Sequence, residues 1–165
     1  KHIETLLKNG ADKIVLNSIT YKNKKFVNDA AKEFGSSCIV VSIDVKLSIQ
    51  NEYEIYSKNG KEKINKSLED HIREMQEVGA GEIFMQSIDK DGTLEGFDLD
   101  LINKVKNFVN VPFIICSGAG NWMHFFEVFK FDIISGAATN NIFHLTEKSI
   151  NTFKNLLKER NIFIR

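Results

Sequence analysis

Proline occurs once in the 165 residues, cysteine twice, and there is no net charge. Lysine plus arginine number 22, as do aspartate plus glutamate, so no overall field favours nucleic acid or an acidic membrane as partner. No apolar run approaches the ~20 residues of a membrane span, and no secretory signal is visible. Cys38 and Cys116 both fall in apolar strand-like runs. They are expected to be reduced core residues of a cytoplasmic protein, not a disulfide or metal pair. His2, His71, His124 and His144 share no ligand spacing, and no HExxH, CxxC, GxSxG or Walker A pattern occurs. Neither a metal nor a cofactor is expected, and His71 and His124 are expected to be solvated or packed helix residues.

The length suits one domain, residues 1–165. The chain opens without methionine inside a helical stretch, Ile3 to Lys8, which Asn9-Gly10 ends. That start is expected of a piece of a longer protein. A strand follows at Lys13–Ser18, then Phe26, Val27, Ala30, Ala31 and Phe34 recur at helical spacing up to Gly35. Cys38–Asp44 is an apolar, β-branched run ending in one carboxylate, the pattern of a strand buried on both faces. A polar insertion, roughly Lys46 to Lys66, holds the alternating Tyr53–Tyr56 and the turn signal Asn59-Gly60. It predicts a hairpin over the carboxyl end of that strand, either a lid or a plain surface hairpin.

Beyond it a helix is predicted over Leu68–Val78, between a Ser67 cap and Gly79, then a strand over Glu82–Ile88. A helical face spans Phe97–Val109, and the lone proline, Pro112, opens the strand Phe113–Cys116. A helix over Trp122–Phe129 leads to Ile133-Ile134, the loop Ser135–Asn141 and an amphipathic helix, Ser149–Arg160.

Alternation of strand and helix five times, with short loops, predicts parallel α/β units with right-handed crossovers. An open, doubly wound sheet and a (β/α)8 barrel both accommodate it. Five units would complete an open sheet and are too few for a barrel of eight. The loops point the other way. Asp91-Gly92-Thr93, Ser117-Gly118-Ala119-Gly120 and Gly136–Asn141 offer the backbone N–H groups that hold phosphate. Barrels place that grip on the loops after their last two strands. Asp44 and Asp91 are candidates for acid and base, since carboxylates in unlike environments hold different pKa values. Asp91 is alternatively a turn-forming residue before Gly92.

Taken in order, Gly10-Ala11-Asp12-Lys13, Ile43-Asp44, Gly79-Ala80-Gly81-Glu82-Ile83, Ser87-Ile88-Asp89-Lys90-Asp91-Gly92-Thr93, Gly118-Ala119-Gly120, His124-Phe125 and Ile142-Phe143-His144 are distinctive. They resemble the cyclase subunit family of imidazole glycerol phosphate synthase, of histidine biosynthesis, across essentially the whole chain. The resemblance implies an α/β fold, a partial (β/α)8 TIM-type barrel comprising strands 4–8, with a β-hairpin insertion after the fifth. It implies a lyase acting in a heterodimer with a glutaminase that supplies ammonia. Ammonia is added to a bisphosphorylated ribulosyl aminoimidazole carboxamide, and cyclisation and cleavage give imidazole glycerol phosphate and an aminoimidazole carboxamide ribotide. The fragment by itself is expected to be inactive.

By the same resemblance Asp44 is one of two acid–base aspartates; the other belongs to a first strand that this chain lacks. Asn17 and Ser18 would help hold one substrate phosphate. Asp91, Gly92, Gly118, Asn140 and Asn141 would line the other end. Lys13 and Glu82 match an ammonia gate at the amino-terminal mouth, though as bare residues they are equally ordinary strand-start charges. Gln86 stands where the family carries threonine, and Cys116-Ser117-Gly118 where it carries Ser-Gly-Gly. The run Asn141–His144, with Thr146-Glu147, resembles a paralogous branch that supplies ammonia for sugar amidination in surface-polysaccharide pathways. A non-catalytic half-barrel is the remaining alternative.

Overall fold

The computed structural model describes residues 1–140, 142 and 150–162. Helix α1 (His2–Lys8) leads to strand β1 (Ile14–Leu16), then to α2 (Ser18–Lys22) and α3 (Lys24–Phe34). The long strand β2 (Ile39–Leu47) carries a hairpin, β3 (Tyr53–Ser57) and β4 (Glu62–Lys63). Then come α4 (Leu68–Glu77), β5 (Glu82–Ser87), α5 (Leu99–Val105), β6 (Phe113–Cys116), α6 (Trp122–Val128), β7 (Ile134–Ala138) and α7 (Ile150–Glu159).

The parallel strands lie side by side in chain order, β1-β2-β5-β6-β7. Each crossover therefore steps to the next position in the same direction, as in a TIM-type barrel. A doubly wound sheet would reverse at a switch point, and none occurs among these strands. The strand order thus decides for the barrel-type winding over the open sheet.

Alternation along the strands separates two faces. Ile39, Val41, Ile43 and Val45 of β2, Ile83 and Met85 of β5, and Phe113 and Ile115 of β6 are fully buried. They form one apolar cluster with Val27 of α3, Ile72 and Met75 of α4, and Leu101, Ile102 and Val105 of α5. The other face presents Val40, Ser42 and Asp44 in register with Glu82, Phe84 and Gln86. Phe84 and Gln86 in turn pair with Ile114 and Cys116.

Several local expectations are revised. β2 continues three residues past Asp44, so that carboxylate is inside a strand and not at its tip. The reason is a change of partner: β1 pairs with Ile39–Val41, and β3 takes over the same edge from Asp44 to Leu47. Ser18 opens α2 instead of ending β1. Residues 135–138, expected in a loop, belong to β7, where small side chains pair closely with β6 around a bulge near Ser135. The expected caps hold elsewhere. Ser67 Oγ accepts from the Asp70 amide at 3.3 Å, and Gly79, with φ of 105°, supplies the left-handed turn after α4.

Candidate active site at the carboxyl ends of the parallel strands

Asp44 lies on the inner face of β2, where Ser42 is its neighbour two residues back along the strand. Asn17, just past β1, reaches both: its Nδ2 donates to Asp44 Oδ1 at 3.0 Å and to Ser42 Oγ at 3.3 Å. Burial pushes the Asp44 carboxyl above the ordinary carboxylate range, opposed by the hydrogen bonds from Asn17 and Ser42. A carboxyl desolvated yet held by two donors can exchange a proton with a bound reactant.

A continuous row runs across the sheet at this level: Tyr56, Asp44, Gln86, Cys116 and Ala138 are in register on five adjacent strands. Gln86 donates from Nε2 to Asp91 Oδ2 at 2.9 Å, drawing the turn after β5 over the row. Asp91 Oδ1 is buried with no hydrogen-bond partner among the described residues. The Cys116 thiol is pushed up to about 11 by burial first, then by the charges of Asp91 and Asp44. It is therefore a neutral packing group at physiological pH, and both carboxylates converge on it.

The glycine-rich loop after β6 has a packing explanation as well as a binding one. A Cβ on Gly118 would lie 2.0 Å from the Lys90 carbonyl oxygen, and one on Gly120 2.1 Å from that of Leu94. The two loops are thus pressed together, joined by the Gly96 amide donating to the Gly118 carbonyl at 2.9 Å. The Gly120 amide is used internally, donating to His124 Nδ1 at 3.1 Å. His124 is accordingly a loop-bracing residue. Gly92 is exposed in the turn after β5, and Asn140 is exposed just past β7. Asn141 and His144 lie outside the described residues.

Lys13 and Glu82 meet at the opposite, amino-terminal end of the strands. Lys13 Nζ donates to Glu82 Oε2 at 2.5 Å, spanning β2, with Glu82 only 7% exposed.

The expected site residues are therefore divided between two places. Asn17, Asp44, Asp91 and Gly118 gather at the carboxyl ends, while Lys13 and Glu82 pair at the other mouth. Ser42 and Gln86, unassigned from the sequence, complete the carboxyl-end group. Ser42 had a legible signal, a polar residue at strand spacing from Asp44 in an apolar run. Among the described residues no group of three or more histidines, cysteines and carboxylates gathers at metal-binding distance, and no helix is long and apolar enough to cross a membrane.

The winding defines an α/β protein of TIM-type fold, with the polar row towards the carboxyl ends of its parallel strands. Residues 1–149 match the family described as histidine biosynthesis protein, and the chain belongs to that family. It is 39% identical over 160 residues to the imidazole glycerol phosphate synthase subunit HisF of Streptococcus mutans, covering 97% of this chain and 64% of the relative. The same-named subunit of Hydrogenobaculum is 39% identical over 163 residues, 99% of this chain and 65% of the relative. That of Flavobacterium psychrophilum is 40% identical over 163 residues, 99% of this chain and 64% of the relative. The chain thus spans a little under two thirds of the length of these relatives.

Proposed function

We propose that this chain supplies strands 4–8 of a (β/α)8 cyclase acting on a bisphosphorylated ribulosyl aminoimidazole carboxamide, with ammonia from a glutaminase partner. What carries the reading is Asp44, desolvated on the inner face and held by Asn17 and Ser42. Adding ammonia to a carbonyl, closing a ring and cleaving a C–N bond each require a proton to be delivered or removed at a defined atom. Asp44 is the acid–base group of this part of the barrel, and its counterpart belongs to the first strand of the complete barrel. Asn17 and Ser18 would hold one phosphate; Asp91, Gly92, Gly118 and Asn140 would line the other end.

The Lys13–Glu82 pair supports an ammonia entrance at the amino-terminal mouth, because it closes the inner face opposite the site with groups that can part and re-form. That mouth is also the docking face for the glutaminase. The two free thiols, Cys38 and Cys116, suit a cytoplasmic setting.

Turnover of the ribulosyl substrate by the full-length protein with ammonium, giving imidazole glycerol phosphate, tests the reading. Asp44→Asn should abolish it, and full activity in that variant would refute the role of Asp44. A second reading, the paralogue that supplies ammonia for sugar amidination, is favoured by one observation. The departures Gln86 and Cys116 fall on the same row as Asp44. Ammonia release without turnover of the ribulosyl substrate would select it.

A further inference from the structure

Behind the Asn17–Asp44 pair lies a buried polar cluster that the proposed chemistry does not use. Thr20, on α2, is 2% exposed and His71, on α4, fully buried. Both the Thr20 amide, at 2.9 Å, and its Oγ1, at 2.7 Å, donate to the Asn17 carbonyl oxygen. His71 Nε2 lies 3.4 Å from the same Oγ1. Because the hydroxyl hydrogen is spent on Asn17, the hydroxyl accepts from His71, which assigns the proton of the ring to Nε2. The Tyr21 ring packs on the imidazole, centroids 4.7 Å apart, and His71 Nδ1 is left without a hydrogen-bond partner. An apolar ring would fill this place without an unpaired nitrogen, so packing alone does not account for a histidine here.

We propose that Thr20 and His71 are positioning residues which fix the Asn17 peptide at the start of α2 and so hold its side chain on Asp44. His71 is suited to this because burial, reinforced by Lys66 and opposed by Glu74, lowers its pKa to about 4 and keeps it neutral. Asp44 is faced by Asn17 and Ser42, by Tyr21 from α2, by its cross-strand neighbours Tyr56 of β3 and Gln86 of β5, and by Cys116 from β6; burial first, then the Asp44 charge, keep Tyr21 protonated. Asn17 is the donor that the support pair controls. Loosening it weakens a bond to the ionised carboxylate, so the Asp44 pKa rises.

The inference rests on Asp44 being an acid–base group of the proposed cyclase, and the experiment separates the two. The pH dependence of kcat is measured for the full-length protein with ammonium, alongside Asp44→Asn, Thr20→Val, Thr20→Ser and His71→Phe. Thr20→Val should move the limb due to Asp44 to higher pH by about half a unit or more, the effect of weakening one hydrogen bond. Its kcat should fall more than its KM changes, and Thr20→Ser should restore the original profile. An unmoved limb in a folded Thr20→Val protein would overturn the proposal, even if kcat falls. Should Thr20→Val not fold, His71→Phe decides by the same shift or its absence. A carbon-13 titration of the Asp44 carboxyl reads that shift without turnover. If Asp44→Asn stays active the cyclase role fails, while this titration still upholds or rejects the positioning.

Discussion

Asp44 works against the fold that holds it. Its pKa is raised in the folded state, so folding favours the protonated form; stability is lost as pH rises from the unfolded carboxyl value through the folded one. The ionised form is a net cost to folding, partly offset by the bond from Asn17. Asp44→Asn keeps an acceptor for Asn17 and removes the charge, so urea melts at pH 7 should show a higher midpoint together with lost turnover. His71 has the opposite sense. Its pKa of about 4 lies below the unfolded histidine value, so stability is complete above pH ~6.5 and is lost as pH falls towards 4. That stabilisation is of order 3 kcal/mol, with roughly 2 kcal/mol gone by pH 5. Comparing urea midpoints at pH 7 and pH 5, His71→Phe should lose markedly less than the parent. From the sequence His71 was a packed or solvated helix residue; the packed alternative holds, but its link to Asn17 passes through Thr20, 51 residues away in the chain, and left no local trace.

The β3–β4 hairpin is fastened down, which argues against a freely swinging lid. Tyr53 Oη donates to Asp98 Oδ1 at 2.7 Å, Ser87 Oγ to Asp98 Oδ2 at 2.6 Å, and Asp98 also caps α5 through the Leu101 amide at 3.1 Å. One buried carboxylate thus joins the hairpin, β5 and α5. The Leu47 amide on Asp89 at 2.8 Å and Lys104 on Glu52 at 3.0 Å add two further ties. Asp98→Ala strands three donors and should cost about 2–4 kcal/mol, whereas Tyr53→Phe should cost about 1 kcal/mol. Hydrogen exchange at Tyr53–Ser57 should quicken in both variants; unchanged protection would show that the hairpin does not depend on this tie. The turn and the alternation of β3 were legible in the sequence. The antiparallel pairing of β3 with the far end of β2 was not, because a polar β-strand extension looks like loop until a partner covers its edge. The Gly-x-Gly loop after β6 was similarly half-legible: a tight backbone was expected, but not the contact that demands it. Gly118→Ala would drive a methyl onto the Lys90 carbonyl and should lower the thermal midpoint by several degrees.

Among the described residues β1 and β7 each pair on one side only, and Val15, in register with the inner-face Val40, is 59% exposed. Strand edges without a second partner and exposed apolar side chains such as Val15 recruit further strands. The 165-residue chain by itself should therefore self-associate. Light scattering after size exclusion checks this, and a stable monomer of the 165-residue chain would contradict it.

Local physics was enough for much of this protein. Apolar period, caps and glycine stops placed the strand–helix units, and the carboxylate at the end of an apolar run marked Asp44, because each depends only on near neighbours in the chain. Tertiary structure alone decided the rest. The direction of winding, the register that sets Asp44 beside Gln86, and the reach of Asn17 to Asp44 depend on which strands become neighbours. So does the burial of His71 behind them. Register sums small preferences over the whole sheet, and no single segment of the sequence contains that sum.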